Sequence, residues 1–322
     1  EIGLPIRAAL LHRRGRVVAS ISFSGIHHRY PFMLALSQAT TERLLAQAVK
    51  EAGGQIERGV ELIDCQALPG RVEATLEWSG HQEIATCPWL FAADGARSAV
   101  REKLGNPFLG SSLAEEWHLA DAPLRTGLAA DQGHIILREK GIFLFLIRVV
   151  DETLSDRFSG TLWRVICNRP EPLSQLESAE QTGPPVWTSS FHISHRICSQ
   201  LAIGNVYFGG DTAHIHSPMG ARGMNLGLED AWVFAELVRM NRLSEYNELR
   251  RPVDAQVVRQ VDLLTRFITA KSPIIRVMRQ YVFPAATKIP AFRRRMIATL
   301  AGLDHDLPQF AGTHTSSTPV AV

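Results

Sequence analysis

The chain has few of the features that mark secreted, metal-binding or membrane-spanning proteins. Its 322 residues include four cysteines, Cys65, Cys87, Cys167 and Cys198, and none has the C-x-x-C spacing of a zinc or redox pair. The sequence shows no secretory signal and no apolar run of transmembrane length. A net charge of +2 gives no global reason to expect nucleic-acid binding. These absences argue against a disulfide framework and a zinc cluster, and we expect a cytoplasmic protein with reduced thiols.

A further shortage concerns phosphate binding. The sequence has 24 glycines but no G-x-G-x-x-G segment, whose glycines let the backbone approach a dinucleotide pyrophosphate. The composition is otherwise ordinary, with 45% hydrophobic and 20% charged residues, so a chain of this length can bury a large core. We therefore expect a globular protein with two closely joined lobes.

The most informative segment comprises residues 206–237. A short apolar run ends in Gly209-Gly210-Asp211, as a buried strand does when it delivers a carboxylate to a ligand at its carboxyl end. A loop with Pro218, Gly220 and Gly223 follows, and apolar residues then recur with helical spacing. Because a helix that opens in a glycine-rich loop presents free backbone N–H groups and partial positive charge, the pattern suits a polar cofactor.

A second junction of this kind lies at Asp94-Gly95. The apolar run Trp89–Ala93 precedes it, and Ser98 is a suitable N-cap for a helix that contains Arg101 and stops at Gly105. The sequence thus predicts two buried strands that each end beside an aspartate and a glycine.

These residues resemble a known family, the p-hydroxybenzoate hydroxylase-like (class A, single-component) FAD-dependent aromatic monooxygenases. Asp94-Gly95 is similar to the family's Asp-Gly motif, which is associated with both FAD and reduced nicotinamide. Gln38, just ahead of a predicted helix, matches a glutamine that contacts the flavin in relatives. The residues that match the family's second flavin motif are Gly210-Asp211-Thr212-Ala213-His214, Pro218, Gly220, Gly223, Asn225, Gly227 and Asp230-Ala231.

The resemblance implies a location for the flavin. Asp211 would bind ribityl hydroxyls of FAD, and the backbone of Gly223, Met224 and Asn225 would face the pyrimidine end of the ring. Pro218 would line the reaction face and is the implied catalytic position. The other implied cofactor-binding residues are Gln38, Asp94, Gly95, Arg101, Gly210 and Gly220.

The resemblance also implies a reaction. In the family NAD(P)H reduces FAD, and the reduced flavin captures O₂ as a hydroperoxide that hydroxylates an aromatic substrate, typically a phenol or a quinone precursor. The sequence therefore predicts an FAD-dependent NAD(P)H monooxygenase. Two alternatives stay open: an FAD-dependent reductase or oxidase of the same superfamily, and a truncated remnant without catalytic activity. A halogenase is disfavoured because the chain has no W-x-W-x-I-P motif.

The implied fold is mixed α/β. In the family a βαβ unit with G-x-G-x-x-G precedes sequence similar to residues 1–6, so we expect a Rossmann-like, glutathione-reductase-type FAD domain that lacks its first βαβ unit and contains half of the cofactor site. Such a chain would purify nearly colourless and could be inactive. The predicted divisions are 1–106 for the first part of the FAD domain, 107–200 for an interleaved β-sheet substrate domain, 201–303 for the second part and C-terminal helices, and 304–322 for a disordered tail.

Local patterns predict further elements. A hairpin is expected around Arg13–Arg16, and a helix is expected over Ala39–Ala52 with Leu44 and Leu45 on its apolar face. Four aromatic residues are candidates for a substrate pocket, although core positions are the more common role for such residues. They are Phe143, Phe145, Trp163 and Phe191. Three consecutive strands are predicted over 55–65, 71–78 and 82–93.

Histidine and basic residues receive mainly structural interpretations. An acid–base role is conceivable for His214 and His216, but His214 is interpreted as a structural hydrogen-bonding residue. No metal is assigned, because the histidines lack metal-ligand spacing. Basic residues from Arg250 to Arg295 are interpreted as a solvated helical face, with peripheral membrane contact at 274–279 as the alternative and a homodimer left open. The prolines expected to divide this helical region are Pro252, Pro273, Pro284 and Pro290.

Overall fold

The computed structural model describes residues 2–26, 28–151, 160–177, 179–270 and 272–310, which form a mixed α/β fold as predicted. Its strands are β1 (Leu4–Ile6), β2 (Ala8–Arg13), β3 (Arg16–Ser22), β4 (Met33–Ala35), β5 (Glu61–Leu68), β6 (Arg71–Trp78), β7 (His81–Cys87), β8 (Leu90–Ala92), β9 (Phe108–Thr126), β10 (Gln132–Leu137), β11 (Phe143–Arg148), β12 (Thr161–Cys167), β13 (Ala179–Gln181), β14 (Trp187–Cys198), β15 (Ala202–Ile203), β16 (Val206–Phe208) and β17 (His214–Ile215). Its α-helices are α1 (Gln38–Glu51), α2 (Ala99–Lys103), α3 (Gly223–Arg239), α4 (Tyr246–Thr269), α5 (Pro273–Val277), α6 (Phe283–Ala286) and α7 (Pro290–Ala301).

The largest layer is a nine-stranded sheet. Its strand order is β17-β14-β9-β12-β11-β10-β2-β3, with β13 beside β9, and only β10 and β2 pair in parallel. The sheet therefore combines strands from all three predicted segments, 1–106, 107–200 and 201–303. The predicted hairpin is confirmed, since β2 and β3 pair antiparallel around Arg14-Gly15.

The two faces of this sheet bury separate apolar clusters, because successive side chains of a strand point to opposite faces. One cluster contains Trp117 and Phe143, and Met219 and Ile268 pack on it from outside the sheet. The other cluster contains Leu144 and residues of β12. The sheet thus offers an aromatic face to the segment around Met219.

A second, three-stranded sheet has the order β15-β16-β8, and its strands β16 and β8 run parallel. Helix α3 covers it, with the rings of Phe91 and Phe234 centred 4.5 Å apart and Tyr246 packed edge-on against both. Gly209 follows β16 where a Cβ atom would lie 2.3 Å from the Phe91 ring, so no larger residue fits without displacing that ring. The predicted strand, loop and helix of the 206–237 segment are present.

The predicted three-strand segment forms a separate antiparallel sheet of β5, β6 and β7. The single strand predicted over 82–93 is wrong, because it is divided at Pro88-Trp89 into β7 and β8, which belong to different sheets. Helix α1 starts one residue before the predicted range, after the N-cap Ser37. Its apolar face was expected to be buried, yet Leu44 and Leu45 are 37% and 49% exposed, and Thr40 is the buried residue that the structure describes in α1. The spacing of apolar residues correctly predicted the helix. It did not predict the exposure of Leu44 and Leu45, over which the described residues place no other element.

Two predictions about the C-terminal region are wrong. Pro252 lies inside the continuous helix α4, whereas Pro273 and Pro290 open helices and Pro284 lies at the start of α6. Arg250 is not on a solvated face but fully buried, where its guanidinium binds the carboxylate of Asp254 one helical turn later. Arg250 also binds Asp230 of α3 at 2.7 Å, so a tertiary contact and the pair with Asp254 hold α4 on both sides of Pro252 despite the lost backbone hydrogen bond.

The segment after α7 was predicted to begin a disordered tail at residue 304. Asp304 and His305 instead make buried or half-buried ion pairs, and Phe310 is buried with its ring 5.5 Å from that of Trp232. Residues 311–322 of the predicted tail lie outside the described residues. Within the described part of the chain, no helix combines the length and the apolar character needed to cross a bilayer.

Candidate functional site

The parallel pairing of β8 and β16 brings the two predicted loops together. Asp94-Gly95 follows β8 and Gly210-Asp211 follows β16, and parallel strands end at the same edge of a sheet. Thr212 joins the loops, since its hydroxyl donates to Asp94 Oδ1 at 2.9 Å and accepts from the Gly95 N–H at 2.8 Å. The structure therefore assembles the two motifs into one site.

Both carboxylate oxygens of Asp94 accept a hydrogen bond from the protein. Its Oδ1 atom accepts from Thr212, and its Oδ2 atom accepts the backbone N–H of Val100 at 3.1 Å in the first turn of α2. Gly95, which was also predicted to bind the cofactor, has a φ of +86° that favours glycine. Both residues thus shape the loop, and the carboxylate of Asp94 has a structural role.

Arg101 also holds the two loops together. Its guanidinium donates to the backbone carbonyls of Thr212 at 3.0 Å and Ala96 at 2.7 Å, and it lies 4.0 Å from the centre of the Phe108 ring. From the end of β14, the buried Cys198 thiol also donates to the Thr212 carbonyl, at 3.3 Å. Burial raises the pKa of this thiol to about 11. The backbone of Thr212 is therefore fixed from two sides.

Asp211 differs from Asp94. Its side chain is exposed and makes no hydrogen bond or ion pair to any residue that the structure describes. Burial of its surroundings raises the pKa of this carboxyl group, and the nearby His214 acts in the opposite direction. The carboxylate is thus positioned at the strand end with its acceptor capacity unused.

The backbone next to Asp211 is held by helix α3. Gly210 has a φ of +58°, and a Cβ atom on Gly227 would lie 3.1 Å from the Gly210 Cα atom, so helix and loop are in close contact. The Gly210 N–H donates to Asp230 Oδ2 at 2.9 Å. Asp230 therefore fixes the turn that presents Asp211.

Asp230 belongs to a buried charge cluster that the sequence analysis missed. His214 Nε2 lies 2.7 Å from Asp230 Oδ2, and Arg250 donates to Asp230 Oδ1 at 2.7 Å and to Asp254 Oδ1 at 2.8 Å. Burial opposes ionisation of Asp230, but the hydrogen bond from His214 and the two cationic side chains lower its pKa overall. Burial and the neighbouring Asp230 raise the pKa of Asp254 to about 7. The available signal was the spacing of Arg250 and Asp254, four residues apart on a helix.

His214, Asp230 and Asp254 also lie close enough together to share a metal ion, with ligand atoms within 4.8 Å of one another. Arg250 already binds both carboxylates and supplies the compensating positive charge. We therefore treat the cluster as an ion-pair network, with His214 in the structural hydrogen-bonding role that the sequence analysis gave it.

The loop before α3 is a tight turn. The hydroxyl of Ser217 caps a 3₁₀ turn over Pro218–Gly220, and Ala221 has a φ of +50°. Helix α3 then begins at Gly223 with no side-chain N-cap, and Met224 and Asn225 are exposed in its first turn. The first backbone N–H groups of α3 are thus free for a ligand, in the partial positive potential of the helix end.

His216 lies beside this helix start. Its Nδ1 atom donates to the Ser217 carbonyl at 3.0 Å, and its Cε1 atom lies 3.9 Å from the position of a Cβ on Gly223. Its Nε2 atom is buried and has no partner among the described residues. Burial lowers the pKa of His216 to about 4, so the ring is neutral at pH 7 and Nε2 is a free hydrogen-bond acceptor.

The chain matches the family described as "FAD binding domain" over residues 7–261. It belongs to this FAD binding domain family. The match includes both loops, Gln38, and the first part of α4. It confirms the resemblance on which the cofactor prediction was based.

Similar proteins are monooxygenases. The chain is 30% identical to 6-methylpretetramide 4-monooxygenase of Streptomyces rimosus over 94% of its own length and 58% of that protein. It is 28% identical to pentachlorophenol 4-monooxygenase of Sphingobium chlorophenolicum over 74% of its length and 48% of that protein. The crystal structure of p-nitrophenol 4-monooxygenase PnpA from Pseudomonas putida DLL-E4 has the same fold, with a TM-score of 0.78 at 18% identity, covering 94% of this chain and 82% of that one. The chain thus spans about half to three fifths of the curated relatives it matches.

The residues present fit part of FAD. A carboxylate without a protein partner at Asp211 suits hydroxyl donors, and the uncapped first turn of α3 suits the electron-rich edge of a flavin ring. For the pyrophosphate, the chain has no G-x-G-x-x-G segment. Gln38 is exposed as the first residue of α1, and no hydrogen bond within the described ranges joins it to either loop.

The aromatic candidates divide between the two faces of the large sheet. Phe143, Phe145 and Phe191 belong to the cluster that Met219 joins from the Pro218 turn. Trp163 belongs to the cluster on the opposite face, where its ring packs beside His134. Three of the four candidates therefore share a face with the cofactor loop, and Trp163 does not.

Proposed function

We propose that this chain carries the flavin and substrate sites of an FAD-dependent monooxygenase that hydroxylates an aromatic, phenolic compound with NAD(P)H and O₂. The observation that carries the proposal is the position of the Pro218 turn, which lies between the uncapped start of α3 and the aromatic face of the large sheet that Met219 contacts. The curated relatives support the reaction type, since both are monooxygenases and one acts on a phenol.

Each loop would hold a different part of the cofactor. Asp211 would accept hydrogen bonds from the ribityl hydroxyls, and the N–H groups of Gly223, Met224 and Asn225 would receive the pyrimidine edge of the ring. Gln38 would contact the flavin, and Gly210 and Gly220 would let the backbone approach it. Asp94, Gly95 and Arg101 would position the loops that hold it. When bound, FAD supplies the oxidation of NAD(P)H and the activation of O₂.

The protein's own contribution is to orient the substrate and exclude water. Phe143, Phe145 and Phe191 provide an apolar wall, and Pro218 would line the reacting side. His216 Nε2, buried and without a partner among the described residues, would accept the hydrogen bond of a phenolic hydroxyl and orient the substrate, while burial keeps the imidazole neutral. The protein needs no nucleophile for this reaction.

The separation of the cofactor loops from the substrate-facing sheet supports the two-lobe organisation that we propose. Segments 1–106 and 201–303 would form the cofactor lobe around β8, β16 and α3, and segment 107–200 would supply most of the roofing sheet. The proposed ligands are an aromatic small molecule, O₂ and NAD(P)H, in a cytoplasmic protein. A homodimer and contact of the exposed Ile274 and Val277 with an anionic membrane surface stay predictions.

Labelled oxygen tests the reaction. In a protein with a family-like N-terminal G-x-G-x-x-G unit restored, supplied with ¹⁸O₂, NAD(P)H and a panel of phenols, we expect one labelled hydroxyl per substrate molecule and substrate-stimulated oxidation of the nicotinamide. Production of hydrogen peroxide alone, with no labelled product from any phenol, would instead favour an oxidase or a reductase.

A further inference from the structure

A series of buried polar contacts connects both ends of the loop between β16 and α3, at Gly210 and at Arg222, to the segment after α7. At one end, Asp230 accepts the N–H of Gly210 and binds Arg250. Arg250 Nη1 lies 3.3 Å from Glu229 Oε2, and the same oxygen lies 2.7 Å from His305 Nε2. Asp230 and Glu229 thus transmit contacts from the Gly210 turn to the chain's C-terminal segment.

The other end of this chain of contacts is Arg222, the residue immediately before α3. Arg222 is 2% exposed, and its Nη1 atom donates to Asp304 Oδ1 at 2.7 Å while Nη2 lies 3.2 Å from His305 Nδ1. An arginine this deeply buried needs a compensating anion, because desolvation of its charge costs several kcal/mol. Asp304 supplies that anion.

The segment that carries Asp304 and His305 is anchored on both sides. Gly302 ends α7 in the left-handed conformation, with a φ of +74°, and turns the chain back toward Arg222. At the far side Phe310 is buried against Trp232 of α3. The segment is therefore packed on α3 rather than extended from it.

We propose that Asp304 and His305 form a latch that holds the Arg222–Asn225 turn in the conformation in which its backbone amides receive the flavin. The two are positioning residues, since they act through Arg222 and Glu229. The inference rests on the proposed flavin contact at Gly223–Asn225, but the latch itself is measurable without the cofactor.

His305 gives the latch a pH dependence. Its hydrogen bonds to Asp304 and Glu229 raise its pKa to about 9, against the opposing effects of burial and of the Arg222 charge. Arg250, which also faces Glu229, keeps its charge throughout this range. The pKa of His305 in the folded protein lies above its usual 6.5. The stabilisation of the fold by protonated His305 is therefore fully present below pH 6.5 and is lost as the pH rises through about 9.

Amide hydrogen exchange on the cofactor-free protein tests the latch. We expect Asp304→Asn to speed exchange of the amides at 226–228, whose N–H groups bond back to the turn beginning at the Arg222 carbonyl, by about tenfold or more, because Arg222 loses its anion and the turn opens locally. Asp306→Asn is the matched control: it makes the same change in the same segment at an exposed carboxylate, and we expect no effect. Unchanged exchange at 226–228 in Asp304→Asn, with faster exchange confined to 302–310, would overturn the latch.

A pH series on the unaltered protein decides the question even if Asp304→Asn fails to fold. After correction for the intrinsic pH dependence of exchange, protection of the 226–228 amides should fall as the pH rises through about 9. His305→Gln, which cannot be protonated, should remove that dependence. A protection profile that is flat between pH 7 and 10 in the unaltered protein would contradict the latch.

FAD titration separates the latch from the cofactor contact. We expect the dissociation constant of FAD to rise about tenfold in Asp304→Asn relative to Asp306→Asn, because a loosened turn must be ordered on binding. Loosened amides together with an unchanged dissociation constant would leave the latch in place but refute the flavin contact at Gly223–Asn225.

Discussion

The loops after β8 and β16 look alike in the sequence but use their aspartates in different ways. Each follows a short parallel strand and each combines an aspartate with glycine. In the first loop the protein gives each carboxylate oxygen of Asp94 one donor, a hydroxyl and a helix N–H, whereas in the second loop Asp211 has no partner among the described residues. A strand end therefore places a carboxylate, and the partners already bound to it determine whether it can serve a ligand.

The largest expected effect concerns what supports the second loop. Asp230→Ala removes one of the carboxylates that bind the buried Arg250 and leaves the Gly210 N–H without its acceptor, so we expect the free energy of unfolding to fall by about 3–5 kcal/mol. Urea unfolding measures it. Glu245→Gln, which breaks an exposed ion pair with Arg242, is the control and should leave the midpoint unchanged. A small loss in Asp230→Ala would show that the cluster does not support the loop.

The next largest effect concerns FAD binding by the second loop, which carries Asp211. If Asp211 accepts ribityl hydroxyls, Asp211→Ala in a complete enzyme with the N-terminal unit removes charge-assisted hydrogen bonds of about 1.5–3 kcal/mol and should raise the dissociation constant of FAD by about 10- to 100-fold. Flavin fluorescence titration gives this constant. Without cofactor the variant should be as stable as the unaltered protein, because the described residues form no bond to this carboxylate. Unchanged FAD affinity would refute the assignment.

The smallest effect is expected at the first loop. Asp94→Ala removes the acceptor for Val100 N–H and for the Thr212 hydroxyl, so we expect a loss of about 1–2 kcal/mol in the free energy of unfolding. Asp211→Ala, measured in the same urea series, is its matched control. The comparison between the loops would fail if both variants lost the same stability, since that would give both aspartates a structural role.

Local patterns predicted the cofactor region well. The strand at 206–208, the tight turn at Pro218 and helix α3 all follow from nearest neighbours in the sequence, because apolar periodicity and glycine positions act over a few residues. The family match supports the cofactor inferred from them. The predicted roles of individual site residues stay predictions, and Asp94 shows that a correct motif can contain a structurally occupied side chain.

The buried charges could not be predicted in the same way. Arg250 lies in a basic stretch that resembles a solvated surface, and its burial depends on Asp230, twenty residues earlier, and on the fold that brings them together. The packing of Asp304 likewise depends on Arg222, far away in the chain, so a polar composition alone suggested a tail. For α1 the spacing predicts a helix correctly, but coverage of Leu44 and Leu45 depends on what packs against them.

The hydrogen bond from Cys198 to the Thr212 carbonyl bears on chemical durability. Hydrogen peroxide attacks the thiolate form of cysteine, and a thiol with a pKa of about 11 is almost entirely protonated at neutral pH. Cys198 is also fully buried, so an oxidant in solution reaches it only when the fold opens. If the proposed monooxygenase reaction releases peroxide when turnover fails, Cys198, which binds the Thr212 carbonyl beside Asp211, is in the protonation state that resists such damage.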